Sequence, residues 1–228
     1  AEASRIAVRA FLESYGGKNT DERIENALDR SLREANNSVY AFSVERNLEG
    51  NCGTTIVAVV VHESGVYWTH AGDSRLYMTD GQSLTPLTED HIYANSLKKA
   101  VEKGLLRQED ALVHPERDSL TSYIGDRTIK IVGKGFLKSS PDGLPPNGFM
   151  LLLCSDGLYK TLSEKEILEV YSPDPEEWAR ALVKSAIAQK YRFQDNVTVL
   201  CLAAGALVPR RSEDTLNNSH AIESDDVE

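Results

Sequence analysis

Two strand-like segments joined by a tight turn constrain the fold of this chain more than any other feature. Residues 54–61 are rich in β-branched side chains, Glu63-Ser64-Gly65 is typical of a turn, and residues 66–70 resume the strand pattern. So short a connection joins antiparallel strands, because a parallel pair needs a crossover of a dozen or more residues. The pattern therefore predicts a hairpin and favours antiparallel sheets over a doubly wound parallel sheet.

Apolar periodicity places helices on both sides of further strands. One helical pattern runs from the first residues to Gly16-Gly17, and a second runs from Thr20, the expected N-cap, to Asn47. Short helices are predicted at 92–111, at 163–171 with Ser163 and Glu166 as a capping box, and at 175–190. Further strands are predicted at 75–78, 82–84, 128–137, 149–154 and 197–203. We expect an α/β (α+β) fold, a layered sandwich of two antiparallel β-sheets flanked by helices, over residues 1–205, followed by a disordered acidic tail over 206–228.

Composition excludes several classes of function. The formal net charge of −10 disfavours nucleic acid and anionic membrane surfaces as partners, and no apolar stretch approaches the ~18 residues that a membrane span requires. The odd number of cysteines, Cys52, Cys154 and Cys201, argues against a disulfide framework. We expect buried free thiols in a reducing, cytoplasmic compartment.

Three aspartates stand at strand ends. Asp156 follows the apolar run 149–154, Asp195 precedes the last strand, and Asp73 lies between two strands. Each has a simpler explanation when taken alone: Asp156 would make a turn or cap a helix beginning at Leu158, Asp195 would mark a turn, and Asp73 would pair with Arg75. Together, carboxylates without histidine or cysteine at ligand spacing suit a hard cation such as Mg²⁺ or Mn²⁺ and not zinc.

Six motifs in a fixed order make the pattern recognisable. They are Gly53-Thr54-Thr55, Ala71-Gly72-Asp73-Ser74-Arg75, Leu87-Thr88-Glu89-Asp90-His91, His114-Pro115-Glu116-Arg117, Leu153-Cys154-Ser155-Asp156-Gly157-Leu158 and Asp195-Asn196-Val197-Thr198-Val199. Over roughly residues 1–204 the chain resembles the metal-dependent, type-2C Ser/Thr protein phosphatases, and their bacterial members in particular.

The resemblance implies a metal-activated water that attacks phosphoserine or phosphothreonine in phosphorylated proteins, with Mn²⁺ or Mg²⁺ as cofactor. Asp156 and Asp195 would be ligands of a two-ion centre, and Asp73 would help Asp156 to hold the third, weaker ion of bacterial relatives. Residues 91–118 would form a flap beside the active site. A cognate Ser/Thr kinase and a signalling role would accompany such an enzyme.

The chain also departs from the family pattern. A Glu-Asp motif, a phosphate-binding arginine and an Asp-Gly-x-Gly-Gly-His motif are absent, and Ala1-Glu2-Ala3-Ser4 resembles the residues that come directly after the last of these motifs in the family. We expect the missing ligands upstream of residue 1, apolar sheet edges where strands are missing, and little metal binding or activity from these 228 residues alone. Asp118 stands where relatives often have Asn or Ser, and catalytic residues stay unassigned. Two hypotheses remain open: a phosphatase that is active in its complete form, or a catalytically incomplete module that binds or regulates phosphoproteins.

Overall fold

The hairpin forms part of a three-stranded antiparallel sheet. The computed structural model describes residues 2–139, 144–145, 148–190 and 195–205. Strands β1 (Ile56–His62) and β2 (Gly65–Ala71) pair from Ile56 opposite Ala71 to His62 opposite Gly65. Strand β5 (Gly133–Lys138) lies antiparallel on the other side of β2. The predicted hairpin is confirmed.

A second sheet packs against the first. It contains β3 (Arg75–Thr79), β4 (Leu84–Pro86), β6 (Phe149–Cys154) and β7 (Val199–Ala204), all antiparallel, in the order β4-β3-β6-β7. The two inner faces enclose a core of six buried residues: Val66, Trp68, Leu76, Phe149, Leu151 and Ala204. The two-sheet antiparallel sandwich is as predicted.

Helices cover the outer faces. They are α1 (Glu2–Gly16), α2 (Ile24–Glu45), α3 (Tyr93–Glu102), α4 (Gln108–Leu112), α5 (Asp156–Tyr159), α6 (Glu164–Glu169) and α7 (Pro175–Ala188). The first two pack on the three-stranded sheet and α5 to α7 pack on the four-stranded one. In the part of the chain that the structure describes, no helix has the length and apolar character needed to cross a bilayer.

Three local predictions have clear outcomes. The capping box of Ser163 and Glu166 is present at the start of α6. Thr20 is not an N-cap, because residues 19–22 form a turn in which Glu22 N–H donates to Asn19 O, and α2 begins only at Ile24. The strand expected over 128–137 starts at Gly133.

The late start of β5 has a side-chain cause. Ser122 Oγ donates to Ile131 O at 2.7 Å and accepts from Ile131 N–H at 3.2 Å. The segment before Gly133 is therefore bonded to a side chain, and its backbone joins the ladder with β2 only after that point.

Strand β5 also makes room for two rings of its neighbour. A Cβ atom at Gly133 would overlap the His70 ring, and one at Gly135 would overlap the Trp68 ring. These glycines leave room for both rings of β2 next to the backbone of β5.

The edge strand β7 exposes two apolar side chains, Leu200 and Leu202.

The three cysteines are free thiols, with Cys154 buried and the other two partly buried, and burial raises the pKa of Cys154 to about 12. Residues 206–228, expected to form a disordered tail, lie outside the described residues.

Candidate metal centre

Asp73 and Asp156 emerge from the same end of the four-stranded sheet. Strand β3 begins where β6 ends, since Arg75 is paired with Cys154. Asp73 lies two residues before that pair and Asp156 two residues after it. The apolar run of β6 is almost fully covered because the strand is central in the sheet, and it holds Asp156 on a rigid support.

An ammonium group lies between the two carboxylates. Lys160 Nζ is 2.7 Å from Asp156 Oδ2 and 3.8 Å from Asp73 Oδ2. Lys160 follows Asp156 by four residues, so one helical turn brings the two side chains together. Burial and, secondarily, the charge of Asp156 raise the pKa of Asp73, while Lys160 opposes this rise.

The carboxylates around Lys160 raise the pKa of its ammonium group. Burial lowers the pKa of Lys160, but the hydrogen bond with Asp156 and the charges of Asp156, Asp73 and Asp118 outweigh it, so the pKa is raised overall. Asp118 belongs to the predicted flap segment. Lys160 therefore lies in the field of carboxylates from three separate segments.

Asp195, the third predicted ligand, belongs to a loop whose backbone packs against the turn that carries Asp156. Gly157 packs so closely on the loop before β7 that a Cβ would lie 2.5 Å from Asn196 O and 3.3 Å from Asp195 O. Ser155 Oγ donates to Asn196 O at 3.2 Å and accepts from Thr198 N–H at 3.0 Å. The Asp195 carboxylate accepts the N–H of Asn196 at 2.7 Å. The structure thus joins the loops of two predicted ligands, with the Asp195 carboxylate bonded to its own loop.

Two of the simpler explanations for these acids are wrong. Helix α5 begins at Asp156 itself, after Ser155 as N-cap, so Asp156 does not cap a helix that starts at Leu158. Arg75 forms its ion pair with Asp90 and not with Asp73.

Arg75 is the centre of a network beneath the two carboxylates. Its Nε and Nη2 atoms donate to the two oxygens of Asp90 at 2.9 and 2.7 Å, and Nη1 donates to the Tyr77 hydroxyl at 2.9 Å. The guanidinium also lies 3.5 Å from the ring centre of Tyr159, whose hydroxyl donates to Asp73 O at 3.0 Å. Burial lowers the pKa of Arg75, but the bonds to Asp90 and Tyr77 raise it overall. The network fixes the backbone of Asp73 against α5.

A stacked pair of histidines anchors the predicted flap. The rings of His70 and His91 lie 4.6 Å apart, and both side chains are buried. His91 Nδ1 accepts the Gly72 N–H at 3.2 Å, and the His91 N–H donates to Gly72 O at 3.0 Å. Burial lowers the pKa of His70, and burial together with the neighbouring His70 lowers the pKa of His91 to about 4. The pair is therefore neutral near pH 7.

Sequence reasoning missed the basic and aromatic members of this site. The spacing of four residues between Asp156 and Lys160 is the one local signal that would have found a member, once a helix is placed after β6. Arg75 and Asp90 are fifteen residues apart, and no periodicity joins them.

The donor set suits a hard cation in one place. Asp73 and Asp156 offer carboxylate oxygens, and the ammonium of Lys160 between them demonstrates that this position accepts a positive charge. Within residues 2–139, 144–145, 148–190 and 195–205, however, no group of three or more His, Cys, Asp or Glu side chains is arranged to hold a metal ion. The converging pair fits one shared ion and does not by itself form a two-ion centre.

Comparisons with known proteins agree on one family. The model of the family described as Protein phosphatase 2C matches residues 4–99. The Ser/Thr phosphatase stp of Listeria monocytogenes serotype 4b is 32% identical over 202 residues, which cover 87% of this chain and 76% of that protein.

Solved structures share the fold. The crystal structure of the Mycobacterium tuberculosis Ser/Thr phosphatase PstP/Ppp matches with a TM-score of 0.68 and 28% identity, over 90% of this chain and 81% of that one. A PstP catalytic domain in complex with two manganese ions matches with a TM-score of 0.64 at 24% identity, over 89% and 80% of the two chains.

Proposed function

The chain belongs to the protein phosphatase 2C family, and from this we propose that it is a metal-dependent protein phosphatase that hydrolyses phosphoserine and phosphothreonine in proteins. The observation that carries the proposal is the convergence of Asp73 and Asp156 around a positive charge at the end of β3 and β6. The relatives do not favour the alternative of a catalytically incomplete binding module, since those named above are phosphatases.

We assign Asp73, Asp156 and Asp195 as residues that would hold Mn²⁺ or Mg²⁺. The manganese ions described for the PstP catalytic domain support this choice of metal. When bound, such ions make water nucleophilic at neutral pH and neutralise the charge of a phosphoryl group.

The chain's own contribution is to hold these acids in place. Ser155 bonds to both Asn196 and Thr198, so the loop that carries Asp195 cannot move independently of the turn that carries Asp156. Such support is what keeps a site at its working geometry.

Phosphorylated proteins of the cytoplasm are the substrates we propose, with a cognate Ser/Thr kinase as the enzyme that produces them. The names of the relatives support the substrate class, and three free thiols are typical of a reducing compartment.

The test is a phosphatase assay on a phosphothreonine peptide. The chain is assayed with Mn²⁺, Mg²⁺ or EDTA, and where its reading frame continues upstream of Ala1 the longer form is assayed beside it. We expect phosphate release that depends on the metal ion. Release from the 228 residues alone should be low, because only two of the three assigned carboxylates, those of Asp73 and Asp156, converge on one position and they leave a divalent ion under-coordinated.

A pair of variants makes the test specific. Asp156→Asn should reduce release by roughly 100-fold or more, whereas Asp21→Asn, in the exposed turn before α2, should leave it unchanged. Release that persists in EDTA, or no release in Mn²⁺ or Mg²⁺ from the longest form that the reading frame encodes, would refute the proposed function.

A further inference from the structure

We propose that Lys160 is a built-in cation that competes with a divalent ion for the position between Asp73 and Asp156. The inference deepens the proposed function, since it rests on the assignment of these two carboxylates as ion ligands. It concerns a side chain to which that assignment gives no role.

The Lys160 ammonium occupies the space where the two carboxylates would share an ion. Lys160 Nζ forms a hydrogen bond of 2.7 Å with Asp156 Oδ2 and lies 3.8 Å from Asp73 Oδ2. A divalent ion bound to both carboxylates would lie within a few ångströms of the ammonium, and like charges at that distance repel strongly. Ion binding therefore requires Lys160 to leave.

Lys160 is also the member of the cluster that can move. Its side chain is 54% exposed, whereas that of Asp156 is 26% exposed and that of Asp73 is 13% exposed. The lysine thus reaches the pair from the solvent side, on a flexible stem, and can swing out into water. The two aspartates are held more firmly, because Tyr159 donates to the backbone of Asp73 and Asp156 begins helix α5 directly after the covered strand β6.

The balance of charge in the cluster favours such an exchange. Two ionised carboxylates, one of them buried, repel each other, and one ammonium offsets half of their charge. A divalent ion would offset all of it, so the exchange is favourable in charge. Because the lysine must leave first, the ion binds at a higher concentration than it would need without the lysine. Asp118 on the flap segment adds a third negative charge that acts on the ammonium. Lys160 thereby sets how much Mn²⁺ or Mg²⁺ the shared position needs.

The experiment measures Mn²⁺ binding to the 228-residue chain by calorimetry and by the electron paramagnetic resonance signal of free Mn²⁺. No phosphorylated substrate is present, so the outcome is independent of whether the domain turns over a phosphopeptide. The variants are Lys160→Gln, Lys160→Arg and the double variant Lys160→Gln/Asp73→Asn. Lys165→Gln, which removes an exposed lysine paired with Glu169 on α6, is the matched control.

We expect Lys160→Gln to bind Mn²⁺ at least tenfold more tightly than the wild type, and the double variant to lose that gain. The control should stay within twofold of the wild type. Lys160→Gln affinity equal to or below that of the wild type, or a gain that survives Asp73→Asn, would overturn the proposal.

Lys160→Arg keeps the test valid if the neutral variant does not fold. Its guanidinium retains the charge and binds carboxylates through two parallel hydrogen bonds, so its Mn²⁺ affinity should be equal to or lower than that of the wild type. Tighter binding by Lys160→Arg contradicts competition by charge.

Discussion

The ion pair of Arg75 and Asp90 offers a direct measure of how strongly the candidate site is tied to the rest of the domain. Its two parallel hydrogen bonds are largely shielded from water, since the Asp90 side chain is 10% exposed and that of Arg75 is 29% exposed. Replacing Arg75 with Met removes both bonds, the bond to Tyr77 and the contact with the Tyr159 ring. It also leaves the Asp90 charge nearly buried without its partner.

The expected cost follows from these contacts. Removing one partner of a buried pair costs about 3–5 kcal/mol, whereas exposed pairs contribute about 1 kcal/mol or less. Because this pair is partly exposed, we expect Arg75→Met to lower the free energy of unfolding by about 3 kcal/mol, at the low end of that range. Asp90→Asn retains one acceptor oxygen and should cost about 2 kcal/mol. The coupling between the two substitutions should be about 2 kcal/mol.

A double-mutant cycle in urea, followed by the fluorescence of the buried Trp68 and Trp178, measures this coupling. The matched control is Arg107 with Asp110, which forms the same two-bond geometry at 2.8 and 2.9 Å on an exposed helix. Its coupling should be about 0.5 kcal/mol or less. If the two cycles give equal values, burial does not strengthen the Arg75 pair and the reasoning is refuted.

Three further predictions concern single positions. Burial and the neighbouring His70 lower the pKa of His91 from an ordinary ~6.5 to about 4. As the pH falls, the unfolded chain therefore takes up the proton before the folded chain does. The free energy of unfolding decreases as the pH falls from about 6.5 through 4. Between pH 7.5 and 4.5 the wild type should therefore lose about 2 kcal/mol more than His91→Asn in urea titrations, and equal losses would contradict the assignment. Gly157→Ala should cost about 2 kcal/mol, because its Cβ would lie 2.5 Å from Asn196 O; an unchanged melting temperature would show that the loop yields freely. Ser163→Ala should cost about 1 kcal/mol through loss of the capping box, and a urea midpoint equal to that of the wild type would count against it.

The elements predicted best are those with strong local patterns. The hairpin of β1 and β2 follows from β-branched residues around a short turn, which the structure forms with Glu63 and Ser64 alone, and β6 follows from its apolar run. The start of β5 was not predictable, because Ser122, which belongs to neither sheet, holds Ile131 out of the ladder. The prediction of Thr20 as an N-cap was wrong for a similar reason, since its hydroxyl favours a cap but the local backbone forms a turn.

The aspartates of the candidate site could be predicted from the sequence, but the residues that surround them could not. Strand-end position and residue type single out Asp73 and Asp156, but their meeting depends on β3 lying beside β6, a long-range pairing that no local pattern encodes. The bond between Arg75 and Asp90 depends on the same tertiary arrangement. Lys160 was within reach of local reasoning, through its spacing from Asp156.

The two glycines of β5 have a consequence for how the domain tolerates change. At Gly133 and Gly135 one surface of the strand is already occupied by the His70 and Trp68 rings, so any residue with a Cβ displaces a ring. The intervening Lys134 is exposed. In a library of all single substitutions, tolerance should therefore alternate along β5. Positions 133 and 135 should accept no side chain larger than that of glycine, whereas position 134 should accept most side chains.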